Sequence, residues 1–204
     1  MKGKFITFEG AEGSGKSTQS KLAHAYLKKR GKSVLFIREP GGVKISESIR
    51  NILLDVKNKK MTKECETLLY MAARSQLVAE VIVPALKKGK IVLCDRFLDS
   101  TIVYQGYGCG VDIDFIKRIG KFATQAIEPD LTFLFDIDTK KGLSRKGAVK
   151  DRIELRSLDY HRRVRQGYLK LARQERSRIR VIKVDRSKEE IFAAVKRSID
   201  RLLR

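Results

Sequence analysis

Residues 4 to 22, "KFITFEGAEGSGKSTQSKL", constrain the fold more than any other stretch of the chain. Gly10, Gly15, Lys16 and Ser17 stand at the spacing G-x-x-x-x-G-K-[ST], and this pattern carries chemistry only between a strand and a helix. Both flanks are present: the β-branched and aromatic run "KFITF" comes before, and helical spacing of Leu22 with Tyr26 comes after. Glycines at such a turn let backbone N–H groups close around an anion, and the helix start adds its positive end. Gly10, Ala11, Glu12, Gly13, Ser14, Gly15, Lys16, Ser17 and Thr18 therefore form the expected phosphate cradle. Lys16 is expected to reach the β- and γ-phosphates of a purine nucleoside triphosphate, with the Ser17 hydroxyl offered to Mg²⁺.

A strand–loop–helix opening predicts more of the same, and four further apolar runs follow: "SVLFI" (33 to 37), "KIVLCD" (90 to 95), "LTFLFDI" (131 to 137) and "IRVIKV" (179 to 184). Most are continuous rather than alternating in apolar character, which suits strands covered on both faces. Between them the apolar residues fall at helical spacing: Ile45, Ile49, Ile52 and Leu53; Leu68, Leu69 and Ala72; Ile191, Val195, Ile199 and Leu202. This order predicts an α/β fold, a doubly wound five-stranded parallel sheet of the P-loop NTPase type flanked by helices, with residues 1 to 204 forming one domain. Two stretches fit neither period. "VYQGYGCGVD" (103 to 112) reads as a glycine-rich loop, and "SRKGAVKDRIE" (144 to 154) is polar, basic and broken by glycine. Both are expected near the ligand, because open α/β sheets bind beyond the carboxyl ends of their strands.

With 204 residues and 42% apolar content, the chain can bury a sizeable core, which argues against disorder. No apolar run reaches the roughly 18 residues that a bilayer demands, and the N-terminus enters a strand directly, so a cytoplasmic, membrane-free protein is expected. Three widely spaced cysteines lack ligand spacing and are expected as reduced packing residues. A formal charge of +21 implies anionic partners; nucleotide phosphates, surface ion pairs and nucleic acid would all satisfy it.

The phosphate acceptor is read from the ends of the other strands. Asp95 and Arg96 close the third run, the acid directed to Mg²⁺ and the guanidinium to a second anion. "REPGG" supplies Arg38, Glu39 and Pro40, and Arg50 and Arg74 follow on successive helices. A hydroxyl acceptor needs a base, whereas a monophosphate is already ionised near neutrality. Several arginines without a histidine relay suit the phosphate acceptor, since His24 and His161 lie within helical patterns. Neither an Asp-x-x-Gly nor an Asn/Thr-Lys-x-Asp motif is convincing, which weighs against a GTPase-like switch.

Taken together, these residues resemble the thymidylate kinase family, whose members transfer the γ-phosphoryl group of ATP to dTMP. "FEGAEGSGKST", "REPGG", "LLYMAAR", "DRFLDSTIVYQG" and "DRIE" match its ordered motifs, and "VRQGYLKLA" is similar to its long helix. The resemblance implies that Tyr70, where Phe is usual, stacks on thymine and that Arg74 bonds the base. Arg50 and Arg96 would bind the dTMP phosphate, with Glu39 and Pro40 beside them. Ser100, Thr101, Tyr104 and Gln105 would line base and sugar, Tyr104 disfavouring a ribose. Glu12 would face the sugar 3′-OH, and Asp95 would organise the metal. Val43 replaces a frequent Thr.

Some members of the family carry a catalytic Arg in the phosphate loop. Here position 13 is Gly, and a small helical lid, about 140 to 154, offers Arg145, Lys146, Lys150 and Arg152. The resemblance makes Arg152 the first choice for the catalytic cation and Arg145 the second. It also implies adenine near "VDRS" (184 to 187), a homodimer, and no nucleic-acid partner.

Overall fold

In the computed structural model, which describes residues 3–145, 147 and 151–204, five strands form one parallel sheet in the order β2-β3-β1-β4-β5. They are β1 (Lys4–Gly10), β2 (Val34–Arg38), β3 (Ile91–Asp95), β4 (Leu131–Asp136) and β5 (Ile179–Lys183). Each coincides with one apolar run of the sequence. Alternate residues of the central strand enter different layers: Ile6 and Phe8 join Phe133 and Phe135 against one set of helices, and Phe5 joins Val92 and Cys94 against another. A strand covered on both faces has no solvated side, hence the unbroken apolar runs. Each fully buried Phe or Ile contributes about 1.5–3 kcal/mol by leaving water.

Helices α1 (Lys16–Lys29), α2 (Lys44–Leu54) and α3 (Lys63–Leu77) come next in the chain. The helix of α3 runs on through a π-helical turn, Val78–Ile82, into α4 (Val83–Lys87). This 25-residue span is long and apolar enough to cross a bilayer by composition, with a mean hydropathy of 1.2. Here Leu77, Val78, Ile82 and Ala85 instead cover the Phe5 face of the sheet. After β3 come α5 (Leu98–Thr101), a second π-helix over Ile102–Gly108, and α6 (Ile113–Ala123). The segment read as a glycine-rich loop is thus largely helical. Its members Val103 and Tyr104, with Ile102 just before it, are buried with Tyr160, Val164 and Tyr168, and this packing overrides the weak helix propensity of Gly106 and Gly108. The remaining helices are α7 (Thr139–Ser144), α8 (Leu158–Gln174) and α9 (Lys188–Leu202).

Because all strands are parallel, the ends at Gly10, Arg38, Asp95 and Asp136 lie on one edge of the sheet. The β1–α1 crossover passes to β2 over β3, while β4 pairs on the other side of β1. The crevice opened by that reversal is where such folds take ligands.

Candidate active site

The phosphate loop occupies this crevice. Gly15 caps α1 in the left-handed region at φ 78°, and Lys16 and Ser17 follow as its first residues, so the free N–H groups of the helix face the loop. Lys16 is largely buried. The Ser17 hydroxyl donates to Asp95 Oδ2 at 2.5 Å, joining the start of α1 to the end of β3. Two hard oxygen ligands side by side fit Mg²⁺, which fills its octahedron with water and phosphate oxygens rather than with a protein cage.

Beyond that pair opens a cavity of about 230 Å³. Its walls bring together every residue expected on the acceptor side: Glu12 from the loop, Glu39 and Pro40 after β2, Arg50 on α2, Tyr70 and Arg74 on α3, and Arg96, Ser100, Thr101, Tyr104 and Gln105 after β3. Lys16, Ser17 and Asp95 line the same space, as do Arg38, Leu54, Asp151, Ile153 and Glu154.

The arginines are held differently. Arg74 is nearly inaccessible, with Nε 2.8 Å and Nη2 2.7 Å from Glu39 Oε2, Nη1 donating to Thr101 Oγ1 at 3.1 Å and Nη2 to the Phe97 carbonyl at 3.0 Å. Burial raises the Glu39 carboxyl, and Arg74 opposes the shift. Arg50 donates to the Pro40 carbonyl at 3.0 Å; burial, then the neighbouring Arg38, lowers its pKa. Arg96 has φ 71°, a left-handed conformation rare for a long side chain. Its guanidinium donates to Glu12 Oε1 at 2.7 Å, Ser100 Oγ at 3.1 Å, the Gly10 carbonyl at 3.2 Å and Tyr168 OH at 3.3 Å. Burial works against its charge, yet Tyr104, Glu12, Tyr168 and Glu9 outweigh it and keep the group protonated. Glu12 also accepts from Tyr104 OH at 2.9 Å. The acid inside the anion-binding loop thus faces the acceptor wall, where a cation meets it.

Glu9 and Tyr168 were not among the residues expected here. Glu9 accepts from the Phe97 backbone N–H at 2.7 Å, from Ser100 Oγ at 2.6 Å and from Tyr168 OH at 2.8 Å. It clamps the turn that carries Arg96, and Tyr168 closes the network from α8, 159 residues away along the chain. Burial, then the charge of Asp99, raise its pKa to about 7 against the opposing pull of Arg96, Ser100 and Tyr168. The folded state then holds, between pH 4.5 and 7, a proton that the unfolded chain releases, so the contribution of this group is complete below pH 4.5 and lost as pH rises through 7. Glu9→Gln removes that slope. In urea titrations at pH 5 and pH 8, wild type loses up to about 3 kcal/mol relative to the variant; parallel pH dependences would contradict the shift.

The lid differs from expectation in one respect. Arg152, the first choice for a cation over the phosphates, is turned to the acceptor wall. Its backbone N–H donates to the Leu54 carbonyl at 3.3 Å, Nε donates to the Leu53 carbonyl at 2.8 Å, and Nη2 lies 2.5 Å from Glu66. The Asp151 carboxylate accepts the N–H groups of Ile153 and Glu154, both at 2.9 Å, and so folds the chain inward at this point. Arg145 is the described lid cation beside the phosphate loop, with Nη1 3.5 Å from the Gly13 carbonyl. Lys146 and Lys150 lie outside the described residues. A Cβ on Gly13 would lie about 2.0 Å from the Gly142 carbonyl oxygen, and one on Gly142 would lie 2.4 Å from that of Glu12. The base of the lid and the phosphate loop therefore meet backbone to backbone.

The sequence profile of the thymidylate kinase family matches residues 8–195. A thymidylate kinase of Geobacillus sp. (strain WCH70) is 47% identical over 197 residues, covering 95% of this chain and 94% of the relative. One from Pelotomaculum thermopropionicum is 45% identical over 206 residues, covering 100% and 95%. The chain belongs to the thymidylate kinase family. The crystal structure of thymidylate kinase from Ehrlichia chaffeensis superposes with a TM-score of 0.82 at 34% identity, covering 98% of this chain and 100% of that one. The family's fold is thus the P-loop NTPase sheet described above.

Proposed function

We propose a division of labour among the residues of this site for the family's reaction, transfer of the γ-phosphoryl group of ATP to dTMP. The chain is an ATP:dTMP phosphotransferase and forms dTDP. The observation that carries the residue assignment is the meeting of two anion-binding walls in one cavity, Lys16 with Ser17 and Asp95 on one side, Arg50 and Arg96 on the other. The loop N–H groups and Lys16 hold the β- and γ-phosphates of ATP. Ser17 and Asp95 would hold Mg²⁺, which would supply neutralisation of charge on the transferring group. Arg96 and Arg50 bind and align the dTMP phosphate, Tyr70 stacks on thymine, and Arg74 and Gln105 meet the edge of the base. Tyr104, with Glu12 and Ser100, packs about the sugar.

An oxygen of the dTMP phosphate attacks the γ-phosphorus in line, the bond to the bridging β–γ oxygen breaks, and ADP departs with the electron pair. The nucleophile is already ionised, so alignment and charge neutralisation replace a general base. Arg145 closes over the loop as the lid cation and excludes water. Arg152 anchors the far end of the lid.

Residues 1 to 204 act as a single kinase domain in the cytoplasm, without membrane or nucleic acid, and as a homodimer. The dimer is supported by exposed Ile45 and Ile52 on α2, Leu68 on α3, and Phe115 and Phe122 on α6, with 85% of Phe122 in solvent. Large apolar side chains on helices that pack on one another suit a surface that a second copy covers.

The test is ADP release measured with dTMP, dUMP, dCMP, dGMP, UMP and thymidine as acceptors, with and without Mg²⁺. The expected result is Mg²⁺-dependent turnover with kcat/KM highest for dTMP. Preference for thymidine would instead mark a hydroxyl acceptor and overturn the assignment of Arg50 and Arg96.

A further inference from the structure

Glu66 lies on α3 one turn before Tyr70 and two before Arg74, on the face that meets the cavity, and is 0% exposed. Its Oε1 accepts from Gln105 Nε2 at 2.8 Å. Its Oε2 lies 2.6 Å from Arg156 Nη2 and 2.5 Å from Arg152 Nη2. A carboxylate between two guanidiniums offers only lone pairs.

This has a consequence for Gln105, whose side-chain amide has nearly the same shape either way round. Facing a carboxylate it must present its NH₂ group, because the opposite orientation would bring two lone-pair oxygens together in a buried site. Its carbonyl oxygen, Oε1, is then turned away from Glu66. Gln105 is only 1% exposed yet lines the cavity, and no described residue donates to that oxygen. Arg74, on the same wall, has its donors directed to Glu39, Thr101, the Phe97 carbonyl and the Met71 sulfur. The Gln105 carbonyl is therefore the acceptor this wall presents, in a fixed orientation.

We propose that Glu66 is a positioning residue that sets base specificity: by locking the Gln105 amide, it turns a carbonyl oxygen to the base and makes the site read a ring N–H. Thymine and uracil carry that N–H at N3. Cytosine presents a lone pair at N3 and is rejected. The 5-methyl group is not read by this device, so dUMP passes it as dTMP does. The inference rests on Gln105 facing the base.

The experiment compares kcat/KM for dTMP and dCMP in wild type, Glu66→Gln and Gln105→Leu. An amide at position 66 accepts either end of Gln105, so the dTMP:dCMP ratio should fall by about tenfold or more in Glu66→Gln. Equal proportional losses for both nucleotides, with the ratio unchanged, would make Glu66 a purely structural ion-pair partner and overturn the proposal. An unchanged ratio in Gln105→Leu would instead remove Gln105 from base reading, and the underlying assignment would fail with it. Wild-type protein supplies a check that needs no variant to fold, binding of N3-methyl-dTMP, in which a methyl group replaces the N3 hydrogen and both carbonyls are kept. The analogue should bind about tenfold more weakly than dTMP; equal binding would mean that no acceptor faces N3.

Discussion

Replacing Lys16 by alanine lowers kcat by about 10²–10³-fold, the usual effect of deleting one preorganised donor aimed at a developing charge. The residue begins α1, is largely buried and lines the cavity where the proposed transfer takes place. Alanine is the best helix former at that position, so the thermal midpoint should stay within a few degrees of wild type. Apart from Glu12, the groups proposed to meet dTMP stand on other elements, after β2 and β3 and on α2 and α3, so dTMP affinity should change little. Steady-state kinetics with a thermal melt of the same sample separate the outcomes. Near-normal kcat would remove Lys16 from the mechanism, and a collapsed melting transition would make its role structural.

Arg96→Ala should cost both activity and stability. Removing the guanidinium takes its ion pair from Glu12, which keeps the Tyr104 hydroxyl, and takes one hydrogen bond each from Ser100, Tyr168 and the Gly10 carbonyl. Removing one partner of a buried pair costs on the order of 3–5 kcal/mol. The proposed contact with the dTMP phosphate goes with it, which should lower kcat/KM by more than about 10²-fold, on the scale of about 2–5 kcal/mol for truncating one partner of a buried charge pair. Arg96→Lys separates the two effects: it restores a positive charge but not the planar fork that reaches several acceptors at once. Stability should recover in part while activity stays low. Full recovery of activity by lysine would mean that only net charge matters there.

Much of this was legible in the sequence because it depends on local spacing. The five apolar runs coincide with the five strands, and the phosphate loop is a contiguous motif whose flanks dictate its geometry. Of the acceptor wall, Glu39, Asp95 and Arg96 stand in motifs at strand ends, whereas Tyr70, Ser100, Thr101, Tyr104 and Gln105 were placed by the resemblance to the family. What could not be read depends on contacts between distant segments. Tyr168 carries the apolar spacing of a packed helix, and nothing near it in sequence signals Glu9. Glu66 reads as an ordinary first-turn acid of α3, complementing the helix dipole, until Gln105, Arg152 and Arg156 converge on it. The glycines of "VYQGYGCG" suggested a loop, but burial of the neighbouring Val103 and Tyr104 turned most of it into a π-helix. The resemblance put Arg152 ahead of Arg145 as the lid cation, and the inward fold at Asp151, which seats Arg152 on the Leu53 carbonyl and Glu66, could not be read from it.

The contact between Gly13 and Gly142 bears on how this enzyme could change over evolutionary time. An arginine at position 13 cannot coexist with α7 in its present seat, since even a Cβ there would overlap the Gly142 carbonyl. Moving the cation from lid to loop therefore takes at least two coordinated changes, one to clear the seat and one to fill it. Either alone would disrupt the phosphate cradle or leave its opening unguarded. A charge sited in the loop would therefore require α7 to give up its seat against the phosphate cradle.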